Sequence, residues 1–270
     1  MGQAPDINKT QRFHNLILAQ LRLINFDSVA NLKPSERLAL KMCGSPRTLQ
    51  LKASQVIFLL PLVRKSKVSN WALVESKLAK TSSSCIAQTN GNWKAIICGQ
   101  DRSGMPDDPR VHFLQFTNEM KGNDKRAKLG ELVQYFLAVS RPSGYVMTFD
   151  ADDLTHHDLV EAFLSLQHEI GYLIDHGLIH DIDAQTYGQS GHLTRTKPLR
   201  KLFWKLCESC SAFRYDPNDF TRLRDFIKAA TQHEHSMFPY LAKLASRPLA
   251  PLTNNMLIYE FNHSQHSGLR

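Results

Sequence analysis

The sequence predicts an α/β fold: a mainly parallel sheet flanked by helices, with a helical extension ahead of it. Two observations carry this. From about residue 54, apolar strand-like runs alternate with segments of helical period. That order builds parallel sheets covered on both faces. Residues from about 8 to 50 show helical period alone. The 270 residues, 42% hydrophobic and 21% charged, suffice for one large domain or two small ones around a sizeable core.

The elements follow in order. "TQRFHNLILAQLRLI" places Phe13, Leu16, Ile17 and Leu21 at helical spacing. "KPSERLALKMCG" reads as a second short helix, with Pro34 and Ser35 at its start and Gly44 at its end. These two form the extension, residues 1–50, packed on the main unit of residues 51–270. "QVIFLLPLV" is apolar at nearly every position, as a strand buried on both faces should be. A helix begins at Ser69 and frays into the Ser-rich turn before "AQT". "WKAIICG" and "RVHFLQF" are strands, and "NDKRAKLGELVQYFLAVS" is a helix closed by Arg141 and Pro142. "GYVMTFD" is a strand and "THHDLVEAFLSLQHEI" a helix. Beyond about residue 175 the period weakens. "GLIHDIDAQTYGQSGHLTRTKPLRK" is loop-rich, "LFWKLCESCSAFRYD" holds one or two strands, and "PNDFTRLRDFIKAATQH" is a helix opened by Pro217 and Asn218. "NNMLIYEFNH" is a last strand before a polar tail.

Lys and Arg outnumber Asp and Glu by 33 to 25, a net charge of +8. That balance favours an anionic partner such as a phosphorylated substrate or a membrane surface. The basic residues are scattered, without the block or the interleaved aromatics of a nucleic-acid reader, so nucleic acid is not an expected partner. The start of the chain lacks signal-peptide order, and Asp6 breaks a myristoylation match at Gly2. The run "VIFLLPLV" is too short to span a bilayer. Five cysteines, an odd number, fit a reducing compartment. The expectation is a cytoplasmic protein with possible peripheral membrane contact.

Parallel α/β sheets bind ligands beyond the carboxyl ends of their strands. The residues of interest are therefore 61–67, 99–103 and 150–153. The last stretch, "FDADDLTHHD", holds Asp150, Asp152 and Asp153 in four positions. Two Asp separated by one residue point to the same side of an extended chain. That suits a hard divalent cation, which takes oxygen ligands and bridges carboxylates to phosphates. Thr155 with Asp158 matches a capping box, so Asp153, Thr155 and Asp158 read as the start of the next helix.

The segments "QVIFLLPLV", "LAKTSSSCIAQTNGNWKAIICGQD" and "DKRAKLGELVQYFLAVSRPSGYVMTFDADDL" together resemble the nucleotide-sugar-binding half of GT-A fold glycosyltransferases, especially the family-two-like group. The resemblance covers about residues 54–160 and includes the DXD motif at Asp150–Asp152. It implies a Rossmann-like GT-A fold with a nucleotide-sugar half, 51–160, and an acceptor half, 161–270. It implies an enzyme that moves a sugar from a nucleotide-sugar donor to a hydroxyl acceptor of a glycan, lipid-linked glycan or protein, with inversion, as in polysaccharide biosynthesis.

The resemblance also implies the roles. Asp152 is the direct ligand of Mn²⁺ or Mg²⁺, and Asp150 lies near the ribose or reaches the metal through water. Asp101 follows the second strand, where the base is contacted. Here the order is Cys98, Gly99, Gln100, Asp101, in place of the family's Asp-Asp or Asp-Gly-Ser. Pro61 and Leu62 border the nucleotide, and Lys125, Arg126 and Lys128 can face the diphosphate. The catalytic base is sought in "QHEHSMFPYL", where Glu234 stands between His233 and His235. Glu234 and His235 are the candidates, with Asp216 and Asp219 as weaker ones. A histidine completing the metal shell would be His263, or His266, with Asn262 orienting the site.

Three rivals remain. "CESC", Cys207 to Cys210, has zinc or redox spacing but reads better as buried thiols. A sugar nucleotidyltransferase would need a Gly-rich loop after the first strand, and "PLVRKSKVSN" has no glycine. A non-catalytic nucleotide-sugar or glycan-binding protein on a degenerate transferase fold is the alternative from another class.

Overall fold

A computed structural model describes residues 8–20, 32–42, 51–102, 104–139, 142–217, 220–231 and 233–261. The parallel core is built from β1 (Gln55–Pro61), β2 (Trp93–Gly99), β3 (Val111–Gln115) and β4 (Gly144–Thr148). Between them run α3 (Trp71–Ile86) and α4 (Lys125–Val139), numbered after the leading helices α1 (Lys9–Gln20) and α2 (Pro34–Met42). β1 pairs in parallel with both β2 and β4, and β2 with β3. The order β4-β1-β2-β3 is that of a Rossmann-like sheet, whose switch point lies between its first and fourth strands.

Three later strands complete the same sheet. β6 (Gly171–Ile174), β9 (Ser211–Tyr215) and β10 (Ala250–Leu252) extend it to seven strands, β10-β6-β9-β4-β1-β2-β3, with β9 alone antiparallel to its neighbours. A second, four-stranded sheet joins β5 (Leu154–Thr155), β11 (Leu257–Phe261), β7 (Leu178–Asp181) and β8 (Thr186–Gln189). The α/β fold with a mainly parallel sheet is as the sequence predicts. β6 and β10 are strands the pattern did not reveal, since each is too short to show a period.

The alternation along β1 sets the two cores. Ile57 and Leu59 face one side, packing with Leu132, Val133 and Phe136 of α4. Val56, Phe58 and Leu60 face the other, with Val74 and Leu78 of α3 and Val160 and Phe163 of α5 (Leu159–Leu166). Fully burying each such side chain stabilises the fold by about 1.5–3 kcal/mol, which is why an all-apolar run holds the centre of the sheet.

Several expectations change. α3 starts one residue after its cap, Asn70, whose side chain accepts from the Leu73 amide. It does not fray at its serines: Ser83 and Ser84 hydroxyls donate back to the carbonyls of Ala79 and Thr81, and the helix runs to Ile86. No capping box forms at α5. Thr155 lies in β5, paired with β11, its hydroxyl near Gln88 and Ser84. The residue before α5, Asp158, makes no side-chain cap and accepts instead from Thr89. The loop-rich stretch after residue 175 contains the β7–β8 hairpin.

The leading helices pack through α2 on α6 (Phe220–Ala230) and through α1 and α2 on α7 (Phe238–Leu244). The expected apolar face of α1 docks only in part: Leu16 packs against the core, but Ile17 is exposed and Leu21 lies outside the described residues. Phe13 is 65% exposed, whereas Asn15 and Ala19 are buried. Asn15 donates to Glu36 and to the Tyr240 hydroxyl, which itself donates to Glu36. A buried polar knot selects the face, because an unpaired Glu36 there would cost more than an exposed Phe13.

Gly171 joins the loop from α5 to β6. Its φ of 126° is outside the range of most side chains, and a Cβ there would stand 2.0 Å from the Ala212 carbonyl oxygen. Gly171→Ala should cost at least about 2 kcal/mol, read as a lowered Tm.

Candidate functional site

Four segments meet at the carboxyl edge of the sheet, beside the β1–β4 switch point. The first follows β4. The Phe149 amide still bonds the Leu59 carbonyl, so the strand delivers Asp150 directly past β1. The second precedes β9, which runs antiparallel to β4 and so begins where β4 ends. The Asp150 amide donates to Ser209 Oγ at 2.8 Å, tying these two together. The third is the start of α4. The fourth is the 3₁₀ turn His235–Met237 that leads into α7.

Lys125 stands at the centre. Its Nζ lies 2.6 Å from Asp150 Oδ1 and 2.7 Å from Glu208 Oε2. Burial alone would lower its pKa, but the two carboxylates outweigh this and raise it, so it stays cationic. Burial works against Glu208 too, yet the ammonium holds its carboxyl below the usual range. Asp150 goes the other way. Burial, together with the nearby charges of Glu208 and Asp152, outweighs Lys125 and pushes it up to about 6.

Asp153 is the buried member of the cluster, not the start of a helix. It is 1% exposed, and burial and then the charges of Asp152 and Asp150 raise its pKa well above the ordinary value. Cys207 Sγ donates to its Oδ2 at 3.1 Å, while its Oδ1 has no hydrogen-bond partner. Asp152, between them, is half-buried. Tyr259 of β11 closes the far side; burial, then Cys207 and these acids, raise its phenol.

Arg126 donates from its guanidinium to Glu234 Oε1 at 2.7 Å. Glu208, Glu234 and His235 have ligand-capable atoms within 4.8 Å of one another, as do His156, His157 and Asp158 on the surface. Asp150, Asp152 and Asp153 do not form such a trio among the described residues. His235 is 5% exposed, and burial, only partly offset by Glu208 and Glu234, lowers its pKa.

The other expected residues are placed as follows. Pro61 ends β1, and Leu62 beyond it is buried. Lys128 is fully buried; its Nζ donates to the Leu62 carbonyl at 2.6 Å and to Asp124 at 3.0 Å. That ammonium pins α4 to the end of β1, so it does not face a diphosphate as expected. Asp101 accepts from the Lys65 amide at 3.1 Å, joining the loops after β2 and β1. His263, His266, Asn262 and Asp219 lie outside the described residues. Asp216 is buried at the end of β9, and β9 runs away from the carboxyl edge that carries Asp150. His233 pairs with Ser35 of α2 at 2.6 Å, away from a common site with the thiols. Cys207 and Cys210 are buried, and burial raises both thiols well above their ordinary pKa, as expected of inert thiols.

Sequence reasoning missed Glu208 and Ser209 as neighbours of Asp150. They sit within the "CESC" spacing that drew attention to its cysteines. Only the antiparallel placement of β9 beside β4 brings them there.

The donor chemistry at this edge fits a hard divalent cation. Lys125 and Arg126 pair with Asp150, Glu208 and Glu234, Asp152 and Asp153 add two further carboxyls beside Asp150, and one buried carboxylate oxygen of Asp153 has no partner.

No protein-family profile and no curated protein matches the chain. Among solved structures, a candidate nucleotide-diphospho-sugar transferase from Desulfovibrio desulfuricans G20 is similar at 11% identity. The alignment covers 77% of this chain and 81% of that one, with a TM-score of 0.33. At that level it carries no argument about chemistry. Among the described residues, no helix is long and apolar enough to cross a membrane.

Proposed function

We propose that the protein is a metal-dependent glycosyltransferase of GT-A type, moving a sugar from a nucleotide-sugar donor to a hydroxyl of a glycan, lipid-linked glycan or protein acceptor, with inversion. One observation carries this reading: carboxylates that burial, and then one another's charge, keep from ionising freely gather at the switch point of a Rossmann-like sheet. Nucleotides bind at that point in such sheets. Asp150 and Asp152, with His263 completing the shell, would hold Mn²⁺ or Mg²⁺. When bound, the cation stabilises the charge that grows on the departing diphosphate.

The chain's own residues supply the rest. Lys125, whose ammonium sits between Asp150 and Glu208, would meet a phosphate oxygen of the donor, a contact that strengthens as charge develops. Pro61 and Asp101 border the nucleotide. Glu234, held by Arg126, takes the proton of the acceptor hydroxyl. His235, kept neutral by burial, is the second candidate for that proton. Calorimetric titration with nucleoside diphosphates tests the reading: binding should require Mn²⁺ or Mg²⁺ and fail without it. Metal-independent binding, or none, would sink it. Glu234→Gln should keep donor affinity and lose about 10²-fold in turnover; unchanged turnover would rule out Glu234 as the base.

A binding protein on a degenerate transferase fold is the second reading. It is favoured by the tight seat of Lys125 between Asp150 and Glu208. Donor binding without any sugar transfer or hydrolysis would select it.

A further inference from the structure

The loop after the β7–β8 hairpin has chemistry the site does not use. Between Asp183 and Glu208 the chain carries no acidic residue, while Arg195, Lys197, Arg200 and Lys201 fall within seven positions. Among these cations stand bare apolar side chains. Leu199 is 90% exposed and Leu193 68%, and Tyr187 on the adjoining strand is 66% exposed. Lone exposed leucines need no explanation, but two on one short cationic loop do.

The loop is ordered by its own bonds. Gly191 donates its amide to the Lys201 carbonyl at 2.8 Å, closing the base. Ser190 exchanges bonds with Gly177, and His192 lies 3.4 Å from Asp175. Within the loop, the Lys197 amide bonds the Thr194 carbonyl at 3.1 Å and the Arg200 amide the Lys197 carbonyl. The leucines are therefore presented on a preformed tip, and little ordering cost remains for docking.

We infer that the loop of residues 191–201 docks the protein onto an anionic lipid surface, its arginines and lysines meeting headgroups while Leu193 and Leu199 enter the acyl boundary. Basic side chains with interspersed large apolar ones are what such a surface takes up. Nucleic acid would use the cations but leave the leucines in water. Position supports the inference. β6 points the same way as β4, so Asp175 at its carboxyl end and the loop beyond it share the sheet edge of Asp150. From Lys201 the chain runs through the 3₁₀ turn Phe203–Lys205 directly into Glu208 and Ser209 at the acid cluster. Docking would thus bring the cleft to the membrane plane, where a lipid-linked acceptor is presented; this consequence alone rests on the proposed transferase function.

Co-sedimentation of the full chain with vesicles tests it. Binding is expected to phosphatidylcholine vesicles containing phosphatidylglycerol, weakening with salt, and not to phosphatidylcholine alone. Leu193→Ser with Leu199→Ser should weaken it by about tenfold or more. Each of Lys197→Gln and Lys201→Gln should weaken it about fivefold. All four side chains are exposed, so an unchanged Tm shows the variants are folded. No binding to the anionic vesicles overturns the inference. So does binding that is indifferent to the leucines and matched by a single-stranded oligonucleotide, which would make the loop a polyanion site. Nucleoside diphosphate titration of the same variants reads the transferase proposal separately.

Discussion

Asp152→Asn is expected to abolish the metal dependence of nucleoside diphosphate binding and to lower sugar transfer by about 10³-fold or more. Asp152 is half-buried, with Asp150 and Asp153 on either side. Asparagine keeps the shape and one oxygen but removes the charge that holds a hard cation. The fold should survive, because one repulsive charge leaves a cluster that raises the pKa of both its neighbours. Thermal unfolding should show Tm equal to or above wild type in EDTA. Transfer rates and calorimetry with and without Mn²⁺ decide it: equal metal dependence in both proteins would show that Asp152 is not a ligand.

Lys125→Met is expected to destabilise the protein by about 2–3 kcal/mol, because it strands Asp150 and Glu208 against each other. Much of that loss should return in the Lys125→Met, Asp150→Asn double variant. If the double variant is no more stable than the single one, the ammonium does not act by pairing the acids. The same cluster sets a pH dependence. Asp150 has a folded pKa of about 6, above its ordinary value of 3.8, and Asp153 shifts in the same direction. Between these limits the folded state holds more protons than the unfolded chain. The contribution of Asp150 is therefore complete below about pH 4 and lost as pH rises through 6, and that of Asp153 has the same sign. For Asp150 alone it is on the order of 2–3 kcal/mol. Paired acids elsewhere, such as Asp108 with Arg110, have the opposite slope. The difference between wild type and Asp150→Asn, measured in EDTA from pH 4 to 7, isolates the term. A difference that does not vary with pH would refute it.

The sequence by itself determined the centre of this protein. The unbroken apolar run of β1, the "WKAIICG" of β2 and the strand before Asp150 are each buried on both faces. Such runs leave a strand no choice but the middle of a sheet. The carboxylates at the end of β4 were equally legible, since like charges in series demand a reason wherever they stand.

Partners from far along the chain were decided by the tertiary structure alone. Glu208 and Ser209 meet Asp150 because β9 enters the sheet antiparallel, which no local pattern encodes. Lys128 and Lys125 lie three residues apart on one helix and look alike in sequence. One is buried against Leu62 and Asp124, while the other reaches the acids. Asp153 read as helix-start chemistry, yet it is the most buried acid of the cluster, because β11 pairs with β5 and holds the chain extended past it. Phe13 and Ile17 promised the docking face of α1, and Asn15 took it through Glu36 and Tyr240. In each case the local signal fixes what a residue prefers. The desolvation of charged and polar groups, which depends on neighbours distant in sequence, decides where it goes.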